Sequence, residues 1–246
     1  MRNLKAILAY DGTRYTGWQA QKNTEHTIQE KVESVLSEIL GETIEVTASG
    51  RTDAGVHAMG QVINFRIESE ILLPELLQKI NDKMPSDICF KKLTKESDRF
   101  HARYNVKSKV YLYRLLNTDV PNPFLRKYTY FYQKNLNIEL MEKAAKAFLG
   151  THDFKAFTTQ KKTKKSTTRT IDRIEFKKMN NEVQIYIHGD GFLHNQIRII
   201  VGTLLEISEG KKKPDDIEKI IASGTRELAG FTAPPQGLFL YEVFYK

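Results

Sequence analysis

One cysteine, Cys89, stands in 246 residues. A lone thiol excludes an internal disulfide, and the want of any cysteine and histidine cluster excludes the usual structural zinc sites. No apolar run approaches the ~20 residues that span a bilayer, so no membrane partner is expected. Met1–Tyr10 is too short and too polar at its start for a secretory signal, which leaves the cytoplasm as the expected compartment. Basic excess is missing from one part of the chain. Residues 1–103 hold 14 Lys and Arg against 15 Asp and Glu, whereas residues 104–246 hold 24 against 15, for an overall formal charge of +8. A basic half beside a near-neutral one points to a polyanion, most simply nucleic acid, although solubility charge would account for the excess as well. The remainder is ordinary: 40% hydrophobic and 28% charged residues fit one large globular domain or two small ones.

Periodicity sets out the elements. Leu4–Tyr10 reads as a first strand closed by the turn pair Asp11–Gly12. Thr27–Leu40 reads as a helix with an apolar stripe of Ile28, Val32, Val35, Leu36, Ile39 and Leu40. Thr27 and Glu30 form a capping box, and Gly41 is the stop. Thr43–Ser49 and Gln61–Arg66 alternate like strands, Pro74–Met84 is helical, and Ile88–Leu93 is a strand. This β-α-β-β-α-β order is that of a ferredoxin-like, split βαβ unit. The second part follows a looser version: a strand at Lys109–Leu116 with two apolar faces, a helix at Ile138–Leu149 and a hairpin turning at Asn180–Asn181. Helices at His194–Ile207 and Asp215–Ala222 and a last strand at Leu238–Phe244 complete it. The expected fold class is α+β, with two ferredoxin-like halves sharing a largely antiparallel sheet with flanking helices. The halves are residues 1–103, carrying the loop described next, and residues 104–246, basic and completing the site.

The run Ser49–Ala58 carries the most chemistry. Asp53 lies two residues after Arg51 in a loop bracketed by Gly50 and Gly55, between two expected strands. An aspartate beside glycine commonly caps its own turn, but that does not account for Arg51, Thr52 and His57 in the same short loop. A carboxylate near a cation is held ionised and can serve as a nucleophile. No second acid lies close in sequence, which weighs against a glycosidase pair.

Lys161, Lys162, Lys164 and Lys165 stand in a run, Gln160–Arg169, that holds no acid. It reads as a basic loop of the kind that orders on a phosphate backbone, or as plain solvated surface. Most of the 11 Tyr and 13 Phe must be core. An inward tyrosine beside a functional loop can also stack on a base. Arg198 sits on an apolar helix four residues after His194 and must meet an anion or snorkel outward.

Together these motifs resemble the TruA class of tRNA pseudouridine synthases. Gly50-Arg51-Thr52-Asp53-Ala54-Gly55-Val56-His57 with Gly60-Gln61-Val62 is similar to the active-site signature of that family. Tyr10-Asp11-Gly12 with Tyr15-Thr16-Gly17-Trp18-Gln19 resembles its first strand and turn. Phe100-His101-Ala102-Arg103, Lys109-Val110-Tyr111-Leu112-Tyr113-Arg114, Gly191–Arg198 with Val201-Gly202, and Gly237-Leu238-Phe239-Leu240 resemble later segments in the same order.

The resemblance implies an isomerase that converts uridines 38, 39 and 40 of the tRNA anticodon stem-loop to pseudouridine, with no cofactor and no metal. Asp53 would attack C6 of the base or C1′ of the ribose. Tyr111 would stack on the base and assist removal of the C5 proton, and Leu238 would press against the base. Arg198 would pair with the aspartate, so that the site straddles both halves, and Arg51 would fill the gap left by the flipped nucleotide. The implied partners are tRNA and a second copy of the chain, as a homodimer. Two alternatives stay open: the same chemistry on ribosomal RNA, and a non-catalytic RNA-binding module, which ferredoxin-like sheets with a basic face serve equally well.

Overall fold

The computed structural model describes residues 1–21, 24, 26–160 and 166–246. They form two compact units, Met1–Lys107 with Phe239–Lys246, and Ser108–Leu238.

In the first unit β1 (Arg2–Tyr10) lies between β3 (His57–Ile67) and β4 (Ile88–Glu96), antiparallel to both, and the short β2 (Thr47–Ala48) pairs with β3. The order β4-β1-β3-β2 is the ferredoxin-like one that the alternation of elements predicts. Leu4, Ala6 and Leu8 alternate into the core from β1. The helix α1 (Ile28–Leu40) buries Ile28, Val32, Val35 and Leu36. Its capping works as expected: the Glu30 N–H donates to the Thr27 hydroxyl at 3.3 Å, and Gly41 ends the helix at φ 70°. The helix α2 (Leu73–Lys83) buries Leu76 and Ile80. Each such side chain contributes about 1.5–3 kcal/mol on burial.

Two departures from the sequence reading bear on this unit. Thr43–Ser49 pairs as a strand only at Thr47–Ala48. Side chains of α1 occupy the earlier backbone donors instead: Ile44 N–H donates to the Ser37 hydroxyl and Val46 N–H to the Glu33 carboxylate, both at 2.9 Å. The last strand, β10 (Leu238–Tyr245), runs parallel to β3, with Phe239 opposite His57 and Leu240 opposite Ala58. All of it save Leu238 therefore groups with the first unit, whereas the division read from the sequence places 104–246 in one half.

In the second unit β5 (Val106–Leu116), β9 (Glu182–Gly189), β8 (Thr168–Met179) and β7 (Gly150–Asp153) follow one another antiparallel. The two-residue β6 (Tyr130–Phe131) adds in parallel to the end of β5. The β8–β9 hairpin turns at Asn180–Asn181, with Asn180 left-handed at φ 52°. Along β9, Val183, Ile185 and Ile187 are buried while the residues between them are half-exposed, so one face of the sheet is core. The helix α3 (Ile138–Ala145) is capped by the Asn137 side chain and tightens into a 3-10 turn at Lys146–Phe148. The helix α4 (Gln196–Ser208) buries ten of its 13 residues and is the centre of the core. The helix α5 (Asp216–Ser223) adds Ile217 and Ile220. Among the described residues no helix is long and apolar enough to cross a membrane.

Candidate active site

The Asp53 loop is built by two segments remote in sequence. From the amino-terminal side, Trp18 N–H donates to the Thr52 carbonyl at 3.0 Å and Gly55 N–H to the Tyr15 carbonyl at 3.4 Å. The approach is close enough to require glycine. A Cβ on Gly12 would lie 2.0 Å from the Val56 carbonyl oxygen, and one on Gly17, at φ 107°, would lie 2.9 Å from that of Thr52. Tyr10-Asp11-Gly12, Tyr15–Gln19 and the aspartate loop are thus motifs of one body. The loop also turns on itself, Val56 N–H donating to the Asp53 carbonyl at 3.1 Å. His57 is not part of it: it opens β3, is buried, accepts from Gly12 N–H at 3.0 Å, and stacks on Phe239 at 4.6 Å between ring centres.

From the β3 side a buried polar network reaches the same loop. Ser49, Thr52, Gln61 and Tyr10 are all buried. Tyr10 and Thr52 share a hydrogen bond of 2.9 Å between hydroxyls, and Gln61 bonds to Ser49 and Gly50. Burial pushes the Tyr10 phenol up, against the pull of Thr52 and Gln61, so it stays a neutral hydroxyl. Asp53 is half-buried at the end of this framework. Arg51 is exposed and makes no ion pair among the described residues, so the adjacency of the two charges in sequence does not become a salt bridge. Gln61 shares its face of β3 with the apolar Ile63, Phe65 and Ile67, and that polar exception is the signal the sequence holds for this network.

In the second unit Tyr111, on β5, is buried with Phe192 edge-on to its ring at 5.3 Å. Arg198, on α4, is half-buried. Its Nε–H donates to the Ala233 carbonyl at 2.6 Å and its Nη1 to the Asn195 side-chain oxygen at 2.8 Å. Asn195 takes a left-handed φ of 61°, so α4 starts at Gln196, two residues later than the spacing predicts. Next to Tyr111 in the strand's alternation, Tyr113 donates to the Pro234 carbonyl at 2.7 Å, and burial raises its pKa well above the ordinary value although Arg198 pulls the other way. Leu238 is buried at the start of β10. Lys161, Lys162, Lys164 and Lys165 lie outside the described residues. Among the described residues no group of three or more His, Cys, Asp or Glu is placed to hold a metal ion.

A family model described as tRNA pseudouridine synthase matches residues 6–105 and 144–246. The tRNA pseudouridine synthase A of Bacillus sp. (strain KSM-64) is 46% identical over 240 residues, covering 98% of both chains. The tRNA pseudouridine synthase A 2 of Clostridium perfringens is 44% identical over 245 residues, and tRNA pseudouridine synthase A 1 of Clostridium tetani 46% identical over 245, each covering 100% of both chains. A solved chain of "Crystal Structure of a Cbf5-Nop10-Gar1 Complex" matches at 12% identity with a TM-score of 0.37, over 96% of this chain and about half, 48%, of that one. With a family-model match over most of the chain and near-complete matches to three named synthases, the chain belongs to the tRNA pseudouridine synthase family.

Proposed function

We propose that Asp53 is the nucleophile of a uridine isomerisation in the anticodon stem-loop of tRNA. The net change breaks the N1–C1′ glycosidic bond and forms a C5–C1′ bond. C5 loses its proton and N1 gains one, so no oxidant or reductant is needed. Asp53 adds to C6 of the base or to C1′ of the ribose, the glycosidic bond breaks, the base turns, and C5 rejoins C1′. A uridine within a helix hides these atoms, and unstacking it costs a few kcal/mol. Arg51 stacks in the vacated space and offsets part of that cost. Tyr111, Arg198 and Leu238 keep the roles that the resemblance implies: stacking and proton removal, charge partner of the nucleophile, and apolar wall against the base. Binding as a homodimer in the cytoplasm belongs to the same proposal, and sedimentation equilibrium of the pure protein reads the dimer.

The observation that carries this reading is the seat of Asp53. A half-buried carboxylate sits on a loop that hydrogen bonds hold from both sides, with an exposed arginine two residues away. A pure RNA-binding surface gains nothing from a fixed acid facing phosphates. Asp53→Asn keeps the shape and removes the charge. Pseudouridine formation is expected to fall below detection while the tRNA Kd stays within about threefold, since phosphate contacts dominate affinity. Wild-type turnover in Asp53→Asn sinks the assignment. Mapping pseudouridine in tRNA and ribosomal RNA from cells with and without this protein tests the target. Loss confined to ribosomal RNA overturns the anticodon assignment and leaves the chemistry standing.

A further inference from the structure

Gln61 is fully buried in β3, where an aliphatic side chain would serve the core without any polar group to satisfy. All its hydrogen-bonding capacity is used. Its Oε1 accepts from the Ser49 hydroxyl at 2.8 Å and from Val62 N–H at 3.2 Å. Its Nε2 donates to the Gly50 carbonyl at 2.8 Å and to the Tyr10 hydroxyl oxygen at 3.3 Å. The orientation of the amide is fixed, because a flip would set N–H against Val62 N–H and oxygen against the Gly50 carbonyl. Tyr10 passes the connection on to Thr52 through the 2.9 Å hydroxyl pair. One side chain therefore holds Ser49 and Gly50 directly and Thr52 at one remove. Arg51, between them, points outward, and Asp53 follows next in the chain.

We infer that Gln61 is a positioning residue for the reaction: it fixes the entry to the Asp53 loop and so aims the carboxylate. The inference rests on the nucleophile proposed above. The trajectory of attack on C6 or C1′ tolerates little error, and a misplacement of about 1 Å can cost on the order of a hundredfold in rate. The opposite side of the loop is held independently by Trp18 and the Val56 turn, so loss of Gln61 loosens the loop without releasing it. Gln61 is itself fully buried and cannot touch RNA, so its loss should leave phosphate contacts made at the surface largely in place.

Gln61→Met keeps the length of the side chain, suits the buried position with an apolar group, and removes all four hydrogen bonds. Measured on folded protein well below its thermal midpoint, kcat is expected to fall about tenfold to a hundredfold while the tRNA Kd moves less than about threefold. A purely structural role would lower the midpoint and the folded fraction but not the turnover of folded molecules. Tyr10→Phe keeps the Gln61 bonds to Ser49 and Gly50 and cuts only the path to Thr52; a smaller fall, about threefold to tenfold, is expected. Wild-type kcat in folded Gln61→Met overturns the inference, and if that variant does not fold, wild-type kcat in Tyr10→Phe overturns it. Asp53→Asn in the same assay separates the two levels. An active Asp53→Asn removes the nucleophile and the ground of this inference, whereas an inactive one beside a fully active Gln61→Met removes only the positioning role.

Discussion

Arg51 shows at the scale of one residue how sequence adjacency misleads and how exposure corrects it. Two residues from Asp53, it first reads as that acid's counter-ion. The backbone of the loop instead turns it outward, with no ion pair among the described residues. An exposed guanidinium outside any such pair contributes little to folding and is available to stack where a nucleotide has left its helix. Arg51→Ala is accordingly expected to change folding stability by less than about 0.5 kcal/mol, as for other exposed sites. The same substitution should lower kcat/KM for tRNA at least tenfold, roughly the stacking contribution of one base. Equal catalytic efficiency of variant and wild type in single-turnover assays would remove Arg51 from the RNA interface.

At the scale of elements, the end of α4 shows electrostatics deciding a junction. Glu209, the residue after α4, accepts from Lys134 Nζ at 2.7 Å, from Lys211 Nζ at 2.8 Å and from the Tyr132 hydroxyl. These partners, Lys134 foremost, hold its carboxyl down to about 2, below its ordinary 4.5. A depressed folded pKa contributes stability that is present above the unfolded value and is lost as pH falls through the folded one. The stability difference between wild type and Glu209→Gln should therefore be constant above pH 5 and close between about pH 4.5 and 2 in urea titrations. A gap that persists at pH 2 would show that packing rather than charge joins these elements. Such junctions were illegible in the sequence, because Lys134 and Glu209 lie 75 positions apart. What was legible is local. The Thr27–Glu30 box and Gly41 bound α1, and Asn180–Asn181 turn a hairpin, because each depends on neighbours along the chain. Thr43–Ser49 misled because α1 side chains take the backbone donors that a strand would have needed. Asn195 likewise moved the start of α4 through a side chain engaged with Thr159 and Arg198. The site followed the same rule. The aspartate loop could be read directly, while the Gln61 network that supports it depends on a partner strand.

For the whole molecule, the distribution of charge predicts how tRNA binding responds to salt. The formal charge of +8 arises entirely in residues 104–246, while the Asp53 loop belongs to the near-neutral part. On the function proposed above, the nucleophile lies in the near-neutral part and most of the phosphate-binding charge in the basic one, so chemistry and binding should respond differently to salt. Binding driven by phosphate neutralisation weakens linearly on a log–log plot, with a slope of about −0.7 to −0.9 for each phosphate engaged. With Asp53 as the proposed nucleophile in a fixed loop, the turnover of bound tRNA should stay nearly constant over the same range. Lys161, Lys162, Lys164 and Lys165 form a cluster of four lysines within five residues. Replacing all four with serine is expected to weaken tRNA binding and to flatten the slope by about 0.7 to 0.9 for each phosphate no longer neutralised, with kcat at saturating tRNA unchanged. Filter-binding across roughly 50 to 300 mM KCl measures the slope directly. A quadruple variant whose slope matches that of wild type would assign the run to solubility and move the grip to the remaining basic residues of the second part.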